Sequence, residues 1–491
     1  MSAPEQPVGL STFEEVAAVL GAQLPQALRG QALGAIETDT RKLGEQAAPL
    51  FVALKGERFD AHDFLAQARA NGAVAALVER AVDDPLPQIV VADTRLAFGL
   101  LAAARRRAWG RPLIAVTGNS GKTSVKGLVH AILVRDAARF EAESLANHGN
   151  LNNDFGLPMT LLRLSNAHQH GVVELGANHL GEIAWTTALA RPQVAVITNV
   201  TGAHVGEFGG MGQIAQAKGE ILAGLSPLGG RRPVAVLNRD DAYFSLWQAL
   251  AATGQAVDVI DFSVADGVAD GVVDGSVDSV DRPARLQARE LGADELGRYA
   301  FELTFDGRSL GRVQLALLGR HNVANALAAA AACLALGIDS DLVIAGLESA
   351  ESVPGRLGVV AGINGSRLLD DSYNANPGAM LAALDLLATL PAPRWCLMGA
   401  MGELGADAKR LHAEVGDYAR KLGIDFIATC GEGAQATAEA FGAGGKHFIE
   451  RAELEAYARN HLPTGASVLV KGSRSAGMEN VVAALKVDAS R

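Results

Sequence analysis

Cysteine is scarce: the 491 residues hold three, Cys333, Cys396 and Cys430, scattered and odd in number. That excludes a disulfide framework and points to a reducing compartment. No apolar run is long enough to span a bilayer. Met1 to Leu10 offers neither a basic start nor an apolar core, so no secretory leader is expected and the chain is read as cytoplasmic. Charge is also sparse, at 20% of residues with a net of −11, and there is no basic block. Nucleic acid is therefore a poor partner. What remains is a globular composition, 49% hydrophobic, on a length that suits roughly two to four domains.

One stretch organises the chain. Leu113 to Val116 are apolar, Thr117 follows, and Gly118-Asn119-Ser120-Gly121 forms a glycine-bracketed turn. Lys122, Thr123 and Ser124 then open a helix-like run through Val134. Strand, tight loop and helix in this order make an anion cradle from loop N–H groups and a helix N-terminus. Lys122 is placed to reach the outer phosphates of a nucleotide and Thr123 to ligate its magnesium. The match is not strict, because Val116 stands where the usual P-loop has its first glycine.

The surroundings read as α/β. Residues 1–84 form a small unit, with Ser11 expected as an N-cap and Glu14 three residues on. Its strand Leu50 to Leu54 runs into the polar stretch Lys55 to Asp63, which is either a ligand loop or a solvated one. Asp93 to Ala108 reads as a helix leading into the P-loop strand. Residues 85–317 would be a central domain and 318–491 a third. Asn147, Asn150, Asn152 and Asn153 are expected outside the core, as a cradle for a polar ligand or a turn-rich surface loop. Gly171 to Glu174 is a strand ending in a carboxylate; buried, Glu174 would need a partner. His204 follows a further strand, on the edge where a phosphate is expected, and is open to metal or bland roles. Lys218, on a helix, reads from its own residues as a solvated charge. Val264 to Asp281 alternates Asp, Gly and Val and reads as an insertion loop without chemistry. In the last third, strands alternate with helices and end in polar loops, so a second parallel sheet is expected.

The runs GNSGKTS, GNLNNDFGLP (149–158), VVELGANHLGEIAW (172–185), AKGEI (217–221), GRHNVANALAAAA (319–331), VPGRL (353–357), LDDSYNANP (369–377) and VLVKGSRSAGME (468–479) stand in an order that closely resembles the Mur ligases, over nearly the whole chain. LFVALKGERFDAHDF (50–64) looks like the uridine-nucleotide-binding domain of that family. The resemblance implies three α/β domains: a small N-terminal one, a central P-loop ATPase-like parallel sheet with helices, and a Rossmann-like C-terminal one. It implies a monomeric enzyme of peptidoglycan precursor synthesis that joins D-Ala-D-Ala to UDP-MurNAc-tripeptide, using ATP and two Mg2+ and passing through an acyl phosphate.

The same resemblance assigns roles. Gly118 to Ser124, with Lys122 at their centre, would hold the phosphates, and Thr123 and Glu174 one magnesium. His204 would hold a second, beside Lys218 carbamylated by CO2. Asn322, Asn325, Arg356, Asp371 and Tyr373 would meet the nucleotide, Arg356 and Asp371 arriving on domain closure. Thr40, Arg41, Lys55, Asn152 and Asn153 would meet the UDP-sugar. Two features depart from the pattern: Ala400 replaces an aspartate of the family's G-D-M-x-E-L-G stretch, and the 264–281 insertion is not general. Three rivals stand beside this reading: another amide ligase of the family, including the folylpolyglutamate synthetase type; a nucleotide-dependent switch; and a silent UDP-sugar-binding protein. The intact Lys122, Thr123, Glu174, His204 and Lys218 set disfavours the last.

Overall fold

The computed structural model describes residues 8–56, 59–201, 208–264 and 282–487. His204 and residues 265–281 of the insertion lie outside the described residues. Three sheets carry the chain. The first is four-stranded and parallel, ordered Ile36–Glu37, Leu50–Val52, Ala75–Val78, Gln88–Val90. Its first helix, Phe13–Leu20, is capped one residue later than expected: Thr12 and Glu15 form the capping box. Glu14 is instead used by the Gly30 N–H. Two adjacent hydroxyl–carboxylate pairs compete here, and tertiary structure selects the second.

The central sheet has nine strands. Six are parallel, ordered Asp258–Ser263, Val234–Asn238, Val194–Ile197, Leu113–Thr117, His168–Glu174, Glu143–Ala146. Leu286–Ala293 extends them, and Arg298–Phe305 and Arg308–Leu318 close that edge as antiparallel strands. The P-loop strand Leu113–Thr117 is fully buried, flanked by His168–Glu174 on one side and Val194–Ile197 on the other. This is where chain order reverses and where α/β sheets bind ligands.

The third sheet runs Gly358–Ala361, Arg367–Asp371, Ser467–Lys471, Arg394–Gly399, Phe426–Cys430, Gly445–Phe448, parallel except for its first pair. Alternate residues feed cores on its two faces: Leu369, Cys396, Met398, Ile427 and Leu469 on one, Leu368, Trp395, Leu397, Ala428 and Val468 on the other. A sheet covered on both faces requires such continuous apolar strands.

Three elements lie near the expected domain boundaries. Gln88–Val90 lies past residue 84 yet completes the first sheet. The helix Thr94–Trp109 is shared: Ala97, Phe98 and Leu101 pack in the first core, Ala102, Ala103 and Trp109 in the second. The alanine-rich helix Arg320–Ala335 lies beyond residue 318 but packs against the central sheet, with Ala328 to Cys333 all buried. Methyl side chains allow the close approach. Among the described residues no helix is long and apolar enough to cross a membrane. All three cysteines are free and buried, and burial pushes the Cys396 thiol up to about 12.

Candidate active site

The P-loop strand delivers Thr117 to the sheet edge, and the backbone then turns through two glycines that nothing else could replace. Gly118 sits at φ +142, where an added Cβ would meet Thr198 Oγ1 at 1.9 Å. Gly121, at φ +80, presses against Asn325 Oδ1, which a Cβ would meet at 2.4 Å. Gly121 caps the helix Lys122–Ala138, so the first-turn N–H groups open onto a cavity of about 640 Å3. Lys122 Nζ donates to the carbonyls of Gly118 and Asn119, at 2.9 and 3.0 Å. Burial lowers its pKa. A cation served only by neutral carbonyls gains from an anion.

Glu174, 3% exposed at its strand end, is held on three sides. Thr123 Oγ1 donates to Oε2 at 2.9 Å, Asn152 Nδ2 donates to Oε1 at 2.9 Å, and Lys126 Nζ stands 3.9 Å from Oε2. From the third sheet side, Arg356 Nη2 donates to Thr123 Oγ1 at 3.4 Å, its guanidinium lies 4.3 Å over the Tyr373 ring, and its buried Nε has no partner. Asn376, which caps the helix Pro377–Thr389, donates to Ser120 Oγ at 3.1 Å. Lys471 pairs with Asp371 at 2.5 Å and with the Asn374 carbonyl at 2.8 Å.

Four basic side chains line the cavity, Lys122, Lys218, Arg356 and Lys471, against three carboxylates, Glu174, Glu182 and Asp371. In a chain of net charge −11 this is a local concentration of basic side chains, suited to a polyanion. Thr123 and Glu174 together suit Mg2+, which takes one or two protein oxygens and completes its shell with phosphate oxygens and water. Among the described residues no group of three or more His, Cys, Asp or Glu could hold a metal alone.

Two family models match the chain: the Mur ligase middle domain over residues 116–333 and the Mur ligase, glutamate ligase domain over 355–474. The UDP-N-acetylmuramoyl-tripeptide--D-alanyl-D-alanine ligase of Escherichia coli K12 is 43% identical over 472 residues, covering 94% of this chain and 97% of that protein. The chain belongs to the Mur ligase family. A crystal structure of MurF from Acinetobacter baumannii superposes with a TM-score of 0.85 at 36% identity, covering 97% of this chain and 99% of that one. MurF ligase from Thermotoga maritima, solved in complex with ADP, gives 0.76 at 25% identity, covering 92% of this chain and 96% of that one.

Most residues that the Mur ligase pattern singles out meet in this cavity: Asn119 to Ser124, Asn152, Asn153, Glu174, Lys218, Asn322, Asn325, Arg356, Asp371 and Tyr373 all line it. Gly118 shapes the loop from behind. Asn322 and Asn325 are buried and bonded to each other at 2.7 Å, which holds Asn325 against Gly121. Thr40, Arg41 and Lys55 do not reach the cavity. They follow the first sheet's strands, where the Thr40 carbonyl accepts from Asn71, Arg41 forks onto Asp39, and the Lys55 backbone faces that of Asp60 in an antiparallel bridge.

Two expectations need correction. Lys218 is no solvated charge: it is 2% exposed, 5.3 Å from the Phe208 ring, and burial with the charge of Lys122 brings its pKa down to about 7. Asn147 is not outside the core: at 3% exposure it accepts from the Glu174 N–H and donates to the Leu151 carbonyl. Its amide satisfies backbone that would otherwise be orphaned. Glu182, Asn376 and Lys471 line the cavity and were missed as site residues. Asn376 and Lys471 stand inside motifs already marked, SYNANP and VKGSR, so position in a motif was the available signal.

Proposed function

We propose that this Mur ligase joins D-Ala-D-Ala to the terminal carboxylate of UDP-MurNAc-tripeptide at the expense of ATP, making a peptidoglycan precursor. One observation carries the reading. The P-loop, the asparagine loop and Arg356 converge on a single cavity in a chain closely similar to ligases of that name. A carboxylate is a poor electrophile until an oxygen becomes a leaving group. The γ-phosphoryl of ATP goes to that oxygen, the dipeptide amine attacks the carbonyl carbon, and phosphate departs as the amide forms. Negative charge accumulates throughout, so preorganised cations matter most. Lys122 and the first-turn amides orient the phosphates, Arg356 reaches across from the third unit, and Thr123 with Glu174 would hold Mg2+. The metal supplies charge neutralisation at the transferring phosphoryl.

A second magnesium beside His204 and a carbamylated Lys218 belong to the same proposal. Carbamylation needs a neutral amine, and a pKa of about 7 supports one near neutral pH. Lys218→Ala is then expected to lose most turnover, and a short carboxylic acid to restore part of it by occupying the vacated anionic place. No restoration, or parental turnover in CO2-depleted buffer, rejects the carbamate. The three buried thiols suit a cytoplasmic enzyme, and we take it to act as a monomer. Phosphate release tests the activity: it is expected only when ATP, UDP-MurNAc-tripeptide and D-Ala-D-Ala are all present. Release that ignores the dipeptide rejects the ligase.

A further inference from the structure

One turn beyond Lys122 on the same helix lies a second buried lysine that takes no part in the scheme above. Lys126 is 8% exposed. Its Nζ donates to the Asn147 carbonyl at 2.9 Å and reaches the Gly149 carbonyl at 3.5 Å, while facing Glu174 Oε2 at 3.9 Å. Side chains of the same loop repeat the connection. Asn147 Oδ1 accepts from the Glu174 N–H at 3.0 Å, and Asn152 donates to the Glu174 carboxylate. The loop's other end is tied elsewhere. Asp154 pairs with Arg95, and the Arg95 guanidinium lies 4.2 Å over the Phe155 ring. Arg95 belongs to the helix Thr94–Trp109, whose first half packs in the core of the first sheet. One short loop therefore runs from the N-terminal unit to the carboxylate beside the P-loop.

We propose that Lys126 is a positioning residue that couples the two substrate sites. It registers the asparagine loop against Glu174, so that UDP-MurNAc-tripeptide on one side and ATP on the other strengthen each other's binding. The inference rests on the ligase reading. A buried ammonium has few acceptors to choose from, and moving the loop would strip Lys126 of its carbonyl partner at the cost of an uncompensated buried donor. The loop and the Glu174 carboxylate consequently share one arrangement, and whatever favours it at one end favours it at the other. Such coupling is reciprocal. A lysine that merely tied the fold together would change melting temperature and nothing else.

Titration calorimetry with a non-hydrolysable ATP analogue and Mg2+, with and without saturating UDP-MurNAc-tripeptide, reads the coupling directly. In the parent, tripeptide is expected to tighten analogue binding about fivefold or more. In Lys126→Met the factor is expected to fall to within about twofold of one, with affinity for the analogue alone changing less than about threefold. Lys126→Arg, which keeps the donor, is expected to recover part of it. If Lys126→Met does not fold, Arg95→Met serves from the far end: its side chain is 53% exposed, and it is expected to lose part of the factor. A parent without tightening overturns the proposal, as does the parental factor in Lys126→Met, or in Arg95→Met where that variant stands in. Failure of the ligase reading shows separately, as a parent that releases no dipeptide-dependent phosphate.

Discussion

Lys218 is kept from water with few anions near it, and that has a sign. Burial, and next the charge of Lys122, bring its folded-state pKa from 10.5 to about 7. Below pH 7 the folded and unfolded chains are both protonated and the full cost of a buried ammonium is present. Between about pH 7 and 10.5 the unfolded chain binds more protons, so this group's destabilisation fades as pH rises. In CO2-depleted buffer, Lys218→Met is expected to raise the melting temperature by several degrees near pH 6.5 and by little near pH 10. Scanning calorimetry across that range checks it, and a gain independent of pH contradicts it. Glu174 offers the complementary experiment. Glu174→Gln keeps the shape and the Asn152 bond but removes the anion, so turnover is expected to fall about a hundredfold or more while the fold persists. Near-parental turnover at ordinary Mg2+ would remove Glu174 from the metal's surroundings.

At the scale of elements, strands deliver paired side chains. Asp371 and Lys471 end adjacent parallel strands in direct register, and their charges meet with 11% and 3% of each side chain exposed. Removing one partner leaves a buried charge. Lys471→Met is therefore expected to cost about 3–5 kcal/mol, and Asp371→Leu with Lys471→Met to recover much of it. Thermal or urea unfolding measures both. A double variant no more stable than the single would contradict the pairing. How much was legible follows from the same elements. The P-loop, Glu174 at a strand end and the alternating third sheet could be read, because strand, turn and helix each leave a local pattern. Asn147 and Lys126 could not, because their burial comes from packing against residues 21 to 27 positions away in the chain, and polar side chains carry no local sign of being enclosed. The packing of the helix Arg320–Ala335 on the central sheet was hidden for a related reason. An alanine helix packs equally well on either neighbour, and only the tertiary structure puts it on the central sheet.

At the scale of the whole chain, the site is built by two units that must meet. Arg356 and Asn376 from the C-terminal unit touch Thr123 and Ser120 of the P-loop. Closure of this kind excludes water and completes a catalytic set. Small-angle scattering is expected to show a smaller radius of gyration with ATP analogue plus UDP-MurNAc-tripeptide than without, and identical profiles at saturation would contradict closure. The central claim is that a carboxylate oxygen of the tripeptide leaves with the phosphate. Label the terminal carboxylate of UDP-MurNAc-tripeptide with oxygen-18, run the reaction with ATP and D-Ala-D-Ala, and analyse the released phosphate by mass spectrometry. One labelled oxygen in phosphate per amide formed is the predicted result. Unlabelled phosphate alongside a formed amide would contradict the account.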